Sequence, residues 1–182
     1  MPASEPGHED AHRFAPAAPG EEHVFGSCSP GWHAEGPHET VVNRWIEDML
    51  SHGIERVVCL LPGRELDRTG ANVGLYRDAF GADAVRHAPI PDHRLAAVET
   101  LRADILPFLE QAVADDAPVV VHGLAGIGRT GQVLAAWLVS GRGYAPNEAV
   151  DTVHEMGRDP TEVARFGDVT RHDILALLAD LQ

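Results

Sequence analysis

The chain has 182 residues, enough for one domain with a substantial core. Its formal charge is −14, from 28 acidic against 14 basic residues, and every basic residue is arginine. That balance argues against non-specific binding to nucleic acid or to anionic membranes, both of which need a basic surface. Two cysteines, Cys28 and Cys59, do not make a disulfide scaffold. No run reaches membrane length and no charged-then-apolar leader is visible, so a cytoplasmic location is expected. An acidic, lysine-free surface suits a halophilic, archaeal cytosol, with GC-rich codon usage as the plainer account of arginine for lysine.

Residues 1–20 are rich in Pro, Ala, Gly and charge, and are expected to form a flexible acidic arm ahead of a single domain over 21–182. His8 and His12 stand i, i+4 in that arm, but an unstructured tail is the better reading, and no metal or cofactor is expected. From residue 39 the chain alternates helix and strand. Trp45, Ile46, Met49 and Leu50 recur at helical spacing, and Gly53 stops that helix. Residues 55–61 form an apolar strand ended by Pro62-Gly63, with Cys59 as a core thiol. A short helix is expected over 71–80 and a brief strand over 84–87. Pro89 and Pro91 then force an extended loop around Asp92.

Residues 95–113 read as a long amphipathic helix with Leu101, Ile105, Leu109 and Val113 on one stripe, bent at Pro107. A strand follows over 118–121. The segment 133–139 is apolar on nearly every face and predicts a buried helix. Two further helices open at Pro146 and near Thr170, the latter with a Thr-x-x-Asp cap. Continuous apolar strands alternating with helices predict an α/β fold with a mostly parallel central sheet flanked by helices. Ligands in such folds bind beyond the C-terminal strand ends.

The loop after the 118–121 strand reads His122-Gly123-Leu124-Ala125-Gly126-Ile127-Gly128-Arg129-Thr130-Gly131. Gly126 and Gly128 let the backbone turn inward without a Cβ in the way. The amides of Leu124, Ala125, Gly126, Ile127, Gly128 and Arg129 can then converge on one anion, aided by the positive end of the following helix. Arg129 brings a planar fork of donors suited to phosphate or sulfate. An ordinary strand-to-helix turn with an exposed arginine is the bland alternative.

Two phosphate-binding families share such a loop. Gly123-x4-Gly128-Arg129-Thr130 is one residue from the nucleotide P-loop, with arginine for lysine. Arginine is not a neutral replacement there, and no later apolar strand ends in an aspartate to hold Mg²⁺. The nucleotide-binding reading is therefore an outsider. The segment is more similar to the signature loop of the cysteine-dependent protein tyrosine and dual-specificity phosphatases, His-Cys, five residues, Arg, then Ser or Thr. His122, Gly126, Arg129, Thr130 and Gly131 fall in the matching places. Pro89-Ile90-Pro91-Asp92-His93 resembles that family's general-acid loop, and Asp92 lies 31 positions before Gly123.

The resemblance implies a three-layer dual-specificity-phosphatase-like fold. It implies that Arg129 clamps phosphate, Asp92 is the acid and base, Thr130 the hydroxyl that eases thiolate departure, and His122 the residue that tunes the cysteine. It also implies a phosphorylated protein or small phosphate ester as partner. The departure is at Gly123, the nucleophile position, where the cysteine is absent. Hydrolysis is then expected to be absent or severely impaired. Phosphate binding need not suffer, because the repulsive thiolate has gone. A pseudophosphatase branch of the family looks similar here, with His-Gly for His-Cys. Either the gene encodes this glycine, or it replaced the nucleophile of an active phosphatase. Asp92 would otherwise be a plain turn residue. His93, Arg94, Arg64, Gln132 and Arg158 are weaker candidates, each equally readable as a surface or structural side chain.

Overall fold

The computed structural model describes residues 12–32, 36, 38–69 and 71–182. In chain order these give β1 (Ala15–Pro16), β2 (Val24–Ser27), α1 (His38–Ser51), β3 (Arg56–Cys59), α2 (Gly63–Thr69), α3 (Val73–Phe80) and β4 (Val85–His87). A continuous helix follows, made of α4 (Val98–Thr100), a π-helical turn (Leu101–Ile105) and α5 (Leu106–Ala114). The chain then runs through β5 (Val119–His122), α6 (Gly128–Arg142), α7 (Pro146–Glu155) and α8 (Arg171–Ala179).

The sheet order is β1-β2-β5-β3-β4, with β2, β5, β3 and β4 parallel and β1 antiparallel at the edge. β5 is central, and its valines serve both faces in turn. Val119 and Val121 join a core with α5, α6, α7 and α8, while Val120 joins a second core with Trp45, Met49 and Tyr76 of α1 and α3. A strand covered on both faces needs no polar alternation, which is why it reads as one apolar run. The molecule is thus the expected three-layer α/β fold. α6 carries the most enclosed helix: Arg129 through Val139 are all buried. It ends at Gly143 in the left-handed conformation, φ +73°.

Four elements differ from the sequence reading. The arm expected over 1–20 is part of the domain from residue 12 onward. Ala15 and Pro16 pair with Gly26 and Phe25 of β2, Ala17 and Ala18 are buried, and Phe14 stacks on Phe25 at 5.0 Å. Small side chains let this segment lie flat against the sheet edge. The earlier part of the arm, His8 included, lies outside the described residues. α2 was not anticipated, because its sequence carries a single apolar residue, Leu66, and no periodic stripe. Leu50 is 48 % exposed, although the helical spacing grouped it with the buried Trp45, Ile46 and Met49. The irregularity in the long helix is a π-helical turn immediately before Pro107, which shifts the register of bonding where the proline has no N–H to give. Among the described residues no helix is long and apolar enough to cross a membrane.

Candidate phosphate-binding site

The loop 123–127 leaves the C-terminal end of β5 and enters α6, at the centre of the sheet edge. Its carbonyls are tied outward. Leu124 O accepts from Ser29 N at 2.8 Å, and Ile127 O accepts from Gly131 N and Asp159 N at 3.1 and 3.2 Å. Gly123 O faces His122 Nδ1 at 2.9 Å. Three of the loop carbonyls, those of Gly123, Leu124 and Ile127, are thus held by hydrogen bonds within the protein. Gly126 takes φ +78°, and a Cβ there would stand 2.6 Å from Ser27 O. Only glycine allows that close approach to β2. A Cβ on Gly128 would overlap Glu162 Oε2, so this glycine makes room for a carboxylate at the rim.

A cavity of about 210 Å³ opens over the loop. Gly123 through Thr130 form its floor, and Trp32, Asp92, His93 and Glu162 its walls. The loop amides, Asp92, Arg129 and Thr130 are therefore brought to one place. His122 stands directly beneath it, fully buried at the end of β5.

Arg129 is 7 % exposed, and both of its terminal nitrogens have partners. Its Nη1 and Nη2 each bond a different oxygen of Glu65 at 2.8 Å, Nη1 also donates to Ile90 O at 3.0 Å, and Nη2 lies 3.4 Å from Asp92 Oδ1. The fork of terminal nitrogens thus faces Glu65 rather than the cavity. The edge toward the loop floor is Nε, 3.8 Å from where a Cβ on Gly123 would stand. Glu65 itself is 6 % exposed and sits on α2. Its neighbour Arg64 is exposed and does not line the cavity.

His122 is held on two sides. Its Nε2 lies 3.1 Å from the Tyr76 hydroxyl, and Trp45 and Tyr76 pack edge-on at 5.2 and 5.6 Å. Burial, helped by nearby Arg129, pushes the imidazole pKa down to about 4 against a hydrogen bond to Gly123 that opposes the shift. His122 is neutral at pH 7, so Nδ1 donates to Gly123 O and Nε2 accepts from Tyr76. Thr130 Oγ1 accepts the Gly123 N–H at 2.9 Å.

Position 123 does not require glycine. Its φ is not in the left-handed region, and a Cβ would meet nothing closer than Thr130 Oγ1 at 3.4 Å. The two thiols do not replace the missing one. Cys28 and Cys59 are fully buried outside the cavity lining, and desolvation pushes them up to about 11 and about 12.

Asp92 is half-exposed and accepts from its own neighbour, His93 N, at 3.0 Å. Gln132 is tied to structure: Oε1 accepts from Ala96 N at 2.8 Å and Nε2 donates to Arg94 O at 3.3 Å. Arg158 is buried under β2 against Gly26, donates to Arg13 O, and has its Nε unpaired among the described residues. Desolvation brings its pKa down to about 10, and it does not line the cavity. Sequence reasoning missed Glu65, Tyr76, Glu162 and Trp32. No local signal marked the first three; Trp32 follows a Pro-Gly pair that could have flagged a turn.

No curated protein matches the chain in sequence. A family model described as "Tc-R-P: Polymorphic toxin system, DSP-PTPase phosphatase" matches residues 46–142, more than half of the chain. Among solved structures, Tk-PTP in its active form is 26 % identical, with a TM-score of 0.65 over 88 % of this chain and 91 % of that one. PTPMT1 in complex with PI(5)P is 15 % identical, with a TM-score of 0.67 over 92 % and 93 %. The human tyrosine phosphatase-like serine/threonine/tyrosine-interacting protein is 19 % identical, with a TM-score of 0.62 over 92 % and 93 %. The last two show likeness of fold alone.

Proposed function

The chain belongs to the DSP-PTPase phosphatases of polymorphic toxin systems, and from that membership we propose that it binds phosphorylated ligands without hydrolysing them at an enzymatic rate. The observation that carries this is the loop 123–129, which lines a cavity at the start of α6 and has the carbonyls of Gly123, Leu124 and Ile127 bonded within the protein, a layout that suits amide donors to an anion. A phosphoryl group seated there meets those amides, the helix dipole and Arg129 Nε. Asp92 stands at the wall where a leaving oxygen would receive a proton. Gly123 puts no nucleophile beneath the phosphorus, so the first displacement has no attacking atom from the protein. The ligand is a phosphorylated protein or small phosphate ester, met in the cytoplasm.

Glu65 and Asp92 flank the Arg129 guanidinium and Glu162 lines the same cavity, so the surroundings of the anion are acidic. A concentrated-salt cytosol answers this, since the Debye length falls to about 3 Å at 1 M salt. Direct contacts in the loop then outweigh long-range repulsion.

The test is titration of phosphate, sulfate and vanadate into the protein and into Arg129→Ala, in high salt. Binding that weakens at least tenfold in the variant supports the reading. Negligible and equal affinity in both overturns it. A second reading, an active phosphatase whose nucleophile glycine replaced, is favoured by one observation: position 123 admits a Cβ at ordinary contact distances. Hydrolysis of an aryl phosphate by Gly123→Cys, and none by the glycine form, supports that lineage. The nucleotide P-loop reading finds no support, because no strand follows β5 among the described residues to bring a Mg²⁺-binding carboxylate.

A further inference from the structure

The segment 12–17 closes the edge of the sheet along β2. His12 O accepts from Cys28 N at 2.8 Å, Ala15 and Pro16 pair with Gly26 and Phe25, and Ala17 N donates to Val24 O at 2.9 Å. Phe14 stacks on Phe25, and its ring lies 4.3 Å from that of His52, centroid to centroid. β1 itself is two residues long, so the ladder that holds the segment is short.

Arg158 lies under the same edge and is 3 % exposed. A Cβ on Gly26 would overlap its guanidinium, so glycine there makes room for the charge. Among the described residues its side chain makes one hydrogen bond, from Nη2 to Arg13 O at 2.7 Å, and pairs with no carboxylate, while Nε has no partner. Burying a charge on a single carbonyl costs more than burying an apolar side chain of similar size. Stability alone does not account for an arginine in that place.

Two contacts of the segment lie one residue away from bonds that hold the phosphate loop. Cys28 bonds His12, and its neighbour Ser29 donates to Leu124 O at 2.8 Å. Arg158 bonds Arg13, and its neighbour Asp159 donates to Ile127 O at 3.2 Å. Between these two brackets Gly126 lies against β2, where a Cβ would stand 2.6 Å from Ser27 O and 2.8 Å from Cys28 N. Peptide units are planar and stiff, so a shift at Cys28 or Arg158 moves the next amide with it.

We propose that the segment 12–17 is a clamp on the phosphate loop, that its docking and anion binding in the loop strengthen one another, and that Arg158 is the positioning residue that couples them. This rests on the phosphate-binding reading and adds a means of regulating that site from the sheet edge. Coupling of this kind is reciprocal: the factor by which release of the segment weakens the anion is the factor by which the anion holds the segment down, typically 5- to 150-fold.

The experiment has two arms, both on the full chain in high salt with inorganic phosphate as the probe. Trypsin cuts after arginine, and Arg13 lies in the segment. Saturating phosphate is expected to slow cleavage after Arg13 at least fivefold more than cleavage after Arg171, at the start of α8. In the second arm phosphate is titrated into the chain itself, Phe14→Ala, Arg158→Leu and Arg158→Lys. Phe14→Ala loosens the segment without changing any charge and is expected to weaken phosphate at least fivefold. Arg158→Leu is expected to do the same, to lose the protection at Arg13, and to keep or raise the urea midpoint; Arg158→Lys, which can still reach Arg13 O, restores part of the affinity. Phe14→Ala stands as a test whether or not Arg158→Leu folds. Equal protection at Arg13 and Arg171, or unchanged affinity in Phe14→Ala or in folded Arg158→Leu, overturns the clamp and leaves the phosphate reading intact. No binding of phosphate by the unaltered chain overturns both.

Discussion

The floor of the site and its rim are built differently. On the floor, every conspicuous side chain has a partner within the protein: Arg129 has Glu65 and Ile90, Thr130 has the Gly123 amide, and His122 has Tyr76 and Gly123 O. At the rim, Asp92 is half-exposed and held mainly by its own neighbour, and Trp32 and Phe166 keep large exposed areas. Residues on the floor therefore have folding reasons to persist after a nucleophile is lost. Their retention says little about catalysis. Asp92 has the weaker structural excuse, so it carries most of the argument for a catalytic past.

The largest effect that tests this contrast is at the floor itself. Gly123→Cys is expected to raise hydrolysis of an aryl phosphate on the order of 10⁶-fold, judged from nucleophile removal in a serine protease. A restored variant that stays folded and inactive would show the floor to be structural only. In that background Asp92→Ala is expected to lower kcat by about 10²- to 10⁴-fold, the range for a general acid. An unchanged kcat would remove Asp92 from the chemistry.

Glu65→Ala strands a buried guanidinium and is expected to cost about 3–5 kcal/mol in denaturant unfolding. A loss below about 1 kcal/mol would mean that Arg129 finds solvent easily, and that the floor is looser than its hydrogen bonds suggest.

Acid should act on the floor through His122. Its folded pKa, about 4, lies below the ordinary 6.5 because burial disfavours the charged ring. Between those values the unfolded chain takes up a proton that the folded chain refuses, so stability falls as pH drops from 6.5 toward 4 and is flat above 6.5. The expected loss is about 3 kcal/mol. Urea titrations at pH 7 and pH 4.5, compared with His122→Gln, check it; equal pH slopes in the two proteins would refute it. The smallest effect belongs to the rim: Asp92→Ala in the glycine form should shift stability by no more than about 0.5 kcal/mol.

The fold was legible because its signals are local. Apolar strand runs, the helical stripe of Leu101, Ile105 and Leu109, and the Thr170–Asp173 cap all lie within a few residues of one another. The loop was legible for the same reason, since its glycines and Arg129 are contiguous. Glu65 was not, because its partner is 64 residues away and a glutamate after a strand end reads as surface. The pairing of Ala15 with Gly26 was hidden by a composition that also suits disorder. Trp32 and Phe166 escaped notice because sequence patterns assign large apolar residues to the core. At the mouth of the cavity that assignment fails.

The room for a Cβ at position 123 has a genetic meaning. Half of the glycine codons differ from a cysteine codon by one base, and a Cβ at this position meets nothing closer than 3.4 Å. From either of those codons a single base change places a thiol at the start of the loop after β5.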